Sequence, residues 1–370
     1  MTVEYLYSFG LNTSGQLGLG DSAQRTSPVK VGSSEWIDIS CGDAHAIGIK
    51  SDGTLWAWGS NTHGQLGLGD TNLRNVPVQV GTALWSKIHC AYSHSLGIQE
   101  DGTLWAWGWG QYLTLGLGGT TSYNTPQQVG VSLWDHIDGG GFATYGLQTD
   151  GSLWVWGYNS SGQTGRGTTI GSTATPTKVG SSTWLTVSGG NYFGAGLQSD
   201  GSLWVWGLND VGQLGLGDTT NRTTPTKVGT AVWVGLACGI AHLLAIQYDK
   251  TLWGSGYNLT GELGAGDNSS RSTIAQIDTS AWGSVDAGEY YTSGNVSHSF
   301  GIKEDNTLWA WGNNNYGQLG LGDTTPRNIP VQVGEVVWKK INAGSHFSLA
   351  VALDPPPFWT NFSGQTELIA

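Results

Sequence analysis

One motif returns seven times along these 370 residues. The string Leu-Trp-Ala-Trp-Gly, or a close variant, closes on Gly10, Gly59, Gly108, Gly157, Gly207, Gly256 and Gly312, at steps of 49, 49, 49, 50, 49 and 56 residues. A fixed period near 50 residues marks an array of one supersecondary unit, whose copies must stack to bury their apolar faces. Length alone would suggest two or three domains, but stacked units form one continuous body. Residues shared by every copy are therefore assigned to structure, and function is expected where a copy departs from the pattern.

The second copy serves as the template. Residues 45–50 read as a short strand, Ser51-Asp52-Gly53-Thr54 as a type I′ hairpin turn on Asp-Gly, and Leu55-Trp56-Ala57-Trp58 as the returning strand. In that strand the two Trp point to one face and Leu and Ala to the other. The loop Gly-Gln-Leu-Gly-Leu-Gly-Asp follows at residues 64–70, then an extended piece opening at Pro77, and residues 85–88 make a fourth strand. Each copy ends on a further Trp: Trp36, Trp85, Trp134, Trp184, Trp233, Trp282 and Trp338. Stacking is expected to set each large indole against a small residue of a neighbour.

Four short strands per unit, no helical period and seven units predict an all-β chain, a seven-bladed β-propeller. The first copy opens with a returning strand, residues 5–10, that has no preceding partner, and the last ends on residues 346–353 with no following one. Pairing these two would close the propeller and remove both open edges. The expected organisation is a propeller over residues 1–354 and a Pro-led aromatic arm over residues 355–370.

Composition narrows function. Sixty Gly would suggest disorder, but they sit at fixed turn positions and are accompanied by twenty Trp. The net charge of −12, with no basic run or tail, speaks against nucleic acid as a partner. Charged residues are 11% of the chain, so the surface is built from Thr, Ser, Asn, Gln and Gly, as in extracellular or particle proteins. The first ten residues lack a signal-peptide pattern, and no run of 18 apolar residues suggests membrane insertion. Cys41, Cys90 and Cys238 share one slot that Gly139, Gly189, Ala287 and Ala343 fill elsewhere, and read as small buried thiols.

The run from Gly64-Gln65-Leu66-Gly67-Leu68-Gly69, with Gly42-x-x-His45, Asp52-Gly53 and Trp58-Gly59, resembles the regulator of chromosome condensation repeat family, in a bacterial or phage-type form. The resemblance spans residues 4–354 and implies a seven-bladed propeller that binds proteins on a rim or face. The family includes an exchange factor for a small GTPase, a plant ultraviolet receptor and a secreted β-lactamase inhibitor. The receptor's Gly-Trp-Arg-His-Thr motif has no counterpart in Gly42-Asp43-Ala44-His45, Ala91-Tyr92-Ser93-His94 or Gly239-Ile240-Ala241-His242. The exchange factor's basic tail is also missing.

No constellation carries catalysis. Nucleophile-elbow, phosphate-loop and zinc-protease motifs are all lacking, so neither an enzyme nor a cofactor is expected. His45, His94, His242 and His298 share a slot, but equivalent slots on separate blades lie too far apart for one metal ion, and a hydrogen bond to a neighbouring strand is the expectation. Asp21, Asp70, Asp218, Asp267 and Asp323 are expected to bond their own loop amides rather than Ca²⁺.

Departures from the pattern are the candidate binding residues. The third copy reads Trp109-Gly110-Gln111-Tyr112-Leu113-Thr114 and loses the turn Gly and, at Gly119, the loop Asp. The fourth has Thr164 and Arg166 for Leu66 and Leu68. The sixth gains seven residues around Glu289, Tyr290, Tyr291 and Asn295, types suited to adaptable contacts. The arm carries Phe358, Trp359 and Phe362 behind Pro355-Pro356-Pro357, a stiff spacer. These features predict a non-enzymatic binding or structural module in a larger assembly, such as a phage tail or capsid accessory or an exposed surface protein. The alternatives are a regulatory partner, of the GTPase exchange or enzyme-inhibitor kind, a carbohydrate-binding adhesin using Trp109 or Trp359, and a cytoplasmic location in place of an exposed one.

Overall fold

The computed structural model describes residues 3–288 and 297–353. Every regular element among them is a strand, from Glu4–Gly10 to Phe347–Leu353. Pairing groups these strands into four-stranded antiparallel sheets. The second sheet, the template copy, takes residues 36–41 of strand Arg25–Cys41, then His45–Lys50, Thr54–Gly59 and residues 74–79 of strand Arg74–Cys90. The other sheets repeat this order and are numbered by the Trp-Gly strand that each contains.

Two expectations about this unit change. The extended piece and the last strand of a copy are one continuous element of 17 residues in Arg25–Cys41, Arg74–Cys90, Tyr123–Gly139 and Thr173–Gly189. Its first part is the outermost strand of one sheet and its second part the innermost strand of the next. Residues 85–88 therefore belong with His94–Gln99, not with the template copy. Gly81, at φ 58°, bends the chain between the two parts without ending the strand. Pro77 lies inside the outermost strand, where its missing N–H faces no partner.

The hairpin turn also differs. Gly53 has φ 81° while Asp52 keeps negative φ, and Gly53 N–H donates to the Lys50 carbonyl at 2.9 Å. That is a type I turn followed by a left-handed residue, a three-residue loop, rather than type I′. The Asp52 carboxylate stabilises it by accepting from Thr54 N–H at 3.0 Å and from the Thr54 hydroxyl at 2.6 Å. Lys250 and Asn306 take the left-handed position, at φ 71° and 64°, in the two copies without Gly there.

Indoles pack on glycines in two ways. Trp36 lies on Gly48 of its own sheet, where an added Cβ would come within 2.6 Å of the ring. Trp58 lies against Gly18 of the preceding copy's loop and donates its Nε1–H to the Gln16 carbonyl at 2.9 Å. Trp107, Trp156, Trp206 and Trp311 make the equivalent bond to Gln65, Thr114, Gln163 and Glu262. The sixth copy replaces this Trp by Ser255, whose hydroxyl reaches the Gln213 carbonyl at 3.1 Å. The small neighbour is thus partly in the same sheet and partly in the next.

The innermost strands are laced together. One slot on them carries Ser40, His89, Asp138, Ser188, Ala237, Asp286 and Asn342. Ser40 accepts from Cys90 N–H at 2.7 Å, Asp138 from Gly189 N–H at 2.8 Å and Ser188 from Cys238 N–H at 3.1 Å. Asp286 accepts from Ala343 N–H and Asn342 from Cys41 N–H, both at 2.6 Å. His89 instead bonds the Gly139 carbonyl at 3.0 Å. Glu4–Gly10 pairs antiparallel with Phe347–Leu353 along its whole length.

Candidate functional site

Two loop positions on one end of the sheets set the geometry. The first follows each Trp-Gly: Leu11, Ser60, Trp109, Tyr158, Leu208, Tyr257 and Asn313. The second precedes the His slot: Ala44, Ser93, Phe142, Tyr192, Ala241, Ser297 and His346. Backbone bonds join the two positions in each sheet. Trp109 N–H donates to the Ser93 carbonyl at 2.9 Å, and Tyr158 N–H to that of Phe142 at 2.8 Å.

Aromatic residues gather at these positions in the third, fourth and fifth sheets: Trp109, then Phe142 and Tyr158, then Tyr192. Trp109 meets Tyr112 edge-on with centroids 5.1 Å apart, stacks on His63 at 5.2 Å and touches Tyr92 at 5.9 Å. Tyr112 meets Phe142 at 4.7 Å and Tyr158 at 5.7 Å, and Phe142 stacks on Tyr192 at 4.9 Å. The arc runs from His63 to Tyr192 across four sheets. His63 is exposed and the other rings are half-buried. Such edge-to-face and offset contacts fix ring positions while leaving faces open.

The third loop is rebuilt to hold this arc. In the second copy Asn61 is buried, accepts from Leu66 N–H at 3.0 Å and donates to the Asp70 carbonyl at 3.0 Å. Asp70 in turn accepts from Asn72 N–H at 2.8 Å and pairs with Arg74 at 2.7 Å. Asp21, Asp218, Asp267 and Asp323 repeat the turn bond and the Arg pair, so this carboxylate bonds its own loop amide as expected. The third copy replaces Asn61 by Gly110, Asp70 by Gly119 and Arg74 by Tyr123. A Cβ at Gly110 would lie 2.2 Å from the Thr121 carbonyl oxygen, so the far side of the loop has moved into the space of the missing amide. Leu113 stands where the others have Gly and holds φ 64°, a left-handed conformation that costs a branched side chain about 1–2 kcal/mol.

Burial pushes the Tyr92 phenol up, with the nearby Asp43 carboxyl adding to the effect. Burial also raises Asp43, which accepts from the Ser345 hydroxyl at 2.7 Å. Below the end face, burial holds His45, His94, His242 and His298 at about 3. His45, His242 and His298 bond the hydroxyls of Ser95, Ser299 and Ser348 in the next sheet at 2.9–3.0 Å. Thr144 takes the place of those serines beyond His94, its hydroxyl bonds the Thr114 carbonyl, and His94 Nε2 has no protein partner. Among the described residues no group of three His, Cys, Asp or Glu is placed to share a metal ion.

Of the residues singled out from sequence, Trp109 and Tyr112 come together here. Arg166 does not join them; it lies in a cleft between the fourth and fifth sheets. Glu289, Tyr290, Tyr291, Asn295, Phe358, Trp359 and Phe362 lie outside the described residues. Sequence reading missed His63, Tyr92, Phe142, Tyr158 and Tyr192. Aligning the second loop position copy by copy would have found Phe142 and Tyr192, because each breaks a column otherwise rich in small residues; Tyr158 stands in a column that also holds Leu11, Leu208 and Tyr257.

Comparison with known proteins agrees with the repeat. The model of the regulator of chromosome condensation (RCC1) repeat matches residues 5–49, 52–98, 101–141, 150–197, 200–246 and 305–351, and a second model of that repeat matches residues 36–65. The chain belongs to the regulator of chromosome condensation repeat family. Yeast RCC1 (Prp20), solved bound to Kap60, superposes with a TM-score of 0.85 at 19% identity, covering 96% of this chain and 90% of that one. Prp20p from Saccharomyces cerevisiae, described with its binding properties to Gsp1p and histones, gives 0.85 at 19% identity over 96% and 92%. Human WBSCR16 gives 0.83 at 18% identity over 95% and 99%. These likenesses show the fold, an RCC1-type β-propeller.

Proposed function

We propose that this chain is a non-enzymatic, protein-binding propeller whose partner docks on the aromatic end face. One observation carries the reading: seven rings form one contact network from His63 to Tyr192, and four of them, Trp109, Phe142, Tyr158 and Tyr192, sit at loop positions that other copies, Tyr257 and His346 apart, fill with aliphatic or small polar residues such as Leu11, Ala44, Ser60 and Ala241. The fold does not need them, since regular copies close the same loop with the Asn, Asp and Arg network. Half-buried, mutually fixed aromatics offer large contact area at low entropy cost and dominate binding energy in protein interfaces.

The reading includes a closed ring of seven blades. Three features support closure: the pairing of Glu4–Gly10 with Phe347–Leu353, the contact of Trp338–Ala343 with Arg25–Cys41, and the bond from Cys41 N–H to Asn342. Closure gives the end face a rigid frame and leaves no exposed sheet edge at the chain ends.

The test is fractionation by size of the native chain and its Trp109→Ala/Tyr112→Ala variant, with mass spectrometry of what co-migrates. The proposal expects a protein partner with the native chain and its loss from the variant, with a cooperative urea transition and a native-like β-sheet spectrum showing that the variant is still folded although its third loop has lost ring packing. Co-migration unchanged in the variant would refute the end face as the docking surface.

A regulatory role is the second reading, favoured by the likeness to Prp20p. The net charge of −12 suits a basic partner. Faster nucleotide release from a small GTPase on adding the chain would support it. A carbohydrate ligand would use the same open indole and phenol faces. The virion version, a tail or capsid accessory, rests on the arm at residues 355–370, outside the described residues.

A further inference from the structure

We infer that the cleft between the fourth and fifth sheets is a second binding site, for an acidic side chain on an extended segment of a protein partner. The cleft has a volume of about 420 Å³ and holds Arg166 and Lys178 above a floor of Trp184 and Trp204. None of its lining residues is acidic.

Arg166 is set apart from the other five arginines. Arg25, Arg74, Arg222, Arg271 and Arg327 each pair with an Asp four residues earlier, at 2.6–2.9 Å. Arg166 has no carboxylate partner among the described residues. It donates from Nε to the Thr164 hydroxyl at 3.3 Å and from its terminal nitrogen to the Gly171 carbonyl at 2.8 Å. Those neutral acceptors hold the side chain in place and leave its charge uncompensated. Lys178 faces a carboxylate only at a distance: Asp150 feels its charge but makes no ion pair with it.

The repeat itself supplies a control. The neighbouring cleft, between the fifth and sixth sheets, has the same walls, with Lys227, Trp233 and Trp253. There Leu216 takes the place of Arg166, and Leu19, Leu68, Leu117 and Leu321 do so in other copies. A Leu is therefore sufficient for the fold at this slot, and the guanidinium is an addition. In a chain of net charge −12, an unpaired cation pair is also the exception to the field of the whole molecule.

The chemistry favours a carboxylate on a peptide. A guanidinium fork accepts a carboxylate in two parallel hydrogen bonds, and the indole floor beside it suits an apolar neighbour. Outermost strands border the cleft: Thr173–Gly189 through Lys178, and Arg222–Lys227 through Thr224 and Pro225. Each of these outermost stretches pairs with one neighbouring strand only. Loop amides take part of each edge, Gly118 N–H donating to the Ala174 carbonyl at 2.9 Å and Gly167 N–H to the Thr223 carbonyl at 2.7 Å; an extended peptide can use the backbone groups that remain, which a sugar cannot match in register.

The test is independent of the end face, because it uses short probes and different variants. Fluorescence anisotropy would follow a labelled peptide of alternating Glu and Leu, with its Gln-for-Glu counterpart, glucuronate and inorganic sulfate as competitors. The expected result is binding of the Glu peptide that weakens with salt and falls about tenfold or more in Arg166→Leu. Lys178→Gln, which restores the residue of Gln79 and Gln128, should weaken it by a smaller factor. The Gln peptide should bind as weakly as the Glu peptide binds Arg166→Leu. Equal binding by the native chain and Arg166→Leu would overturn the inference, as would absence of peptide binding or a site that takes glucuronate or sulfate but not the peptide. Loss of the end-face partner in Trp109→Ala/Tyr112→Ala with this peptide still bound would separate the two sites.

Discussion

The loops of the second and third copies occupy equivalent places and are held together by different physics. In the second, Asn61 ties Leu66 to Asp70, and Asp70 ties Asn72 to Arg74, so buried polar groups are satisfied within the loop. In the third, all three side chains are gone, and rings of Trp109, Tyr112, Phe142 and Tyr158 hold the loop instead. Leu113 keeps the turn at the cost of left-handed strain. The contrast teaches that the repeat pattern serves folding. Where it lapses, packing across sheets has replaced it and surface chemistry has changed.

If the two solutions are distinct, neither loop should accept the other's residues. Gly110→Asn should cost about 3 kcal/mol, because a Cβ there would lie 2.2 Å from backbone at Thr121; chemical denaturation checks this. A neutral result would mean that the third loop can return to the regular form. Asn61→Ala should cost about 2 kcal/mol by leaving Leu66 N–H buried without an acceptor, seen as a lower midpoint in urea.

A second contrast lies on the innermost strands, where Ser40 and Asp138 do the same work with different chemistry. Burial raises Asp138 to about 8 and Asp286 to about 7. A folded-state value above the unfolded one means that the stabilising contribution is complete below about pH 4 and is lost as pH rises through about 7 to 8. The four histidines held at about 3 act in the opposite sense, their contribution growing as pH rises towards about 6.5. The carboxyls therefore set the slope only above that range: stability should fall between about pH 7 and 8, and Asp138→Asn should flatten that fall. The smallest effect is a gain: Leu113→Gly should stabilise by about 1 kcal/mol by removing backbone strain. Unchanged or lower stability would show that Leu113 packing outweighs the strain.

The strands, the indole packing and the loop Asp were legible because they recur, and a slot seen seven times shows its tolerance directly. The continuous strand through Gly81 was not, since a Gly between two extended runs looks like a break. The belt on the innermost strands was hidden for another reason. Ser40, Asp138, Asp286 and Asn342 mix hydroxyl, carboxyl and amide groups and have in common only an acceptor at the same height. Of the aromatic arc, Trp109 and Tyr112 stood out as departures. Tyr92 joins them only through its ring contact with Trp109, which a reading of one copy at a time does not reveal.

The central claim is that the partner sits on the aromatic end face. The direct measurement is site-specific photo-crosslinking from two exposed positions in the native assembly. Gln111 lies within the arc, and Leu185 begins an innermost strand at the opposite end. A crosslinked partner from position 111 and none from position 185 is the predicted result. Crosslinks from position 185 alone, or none at position 111 while a partner still co-migrates, would contradict the account.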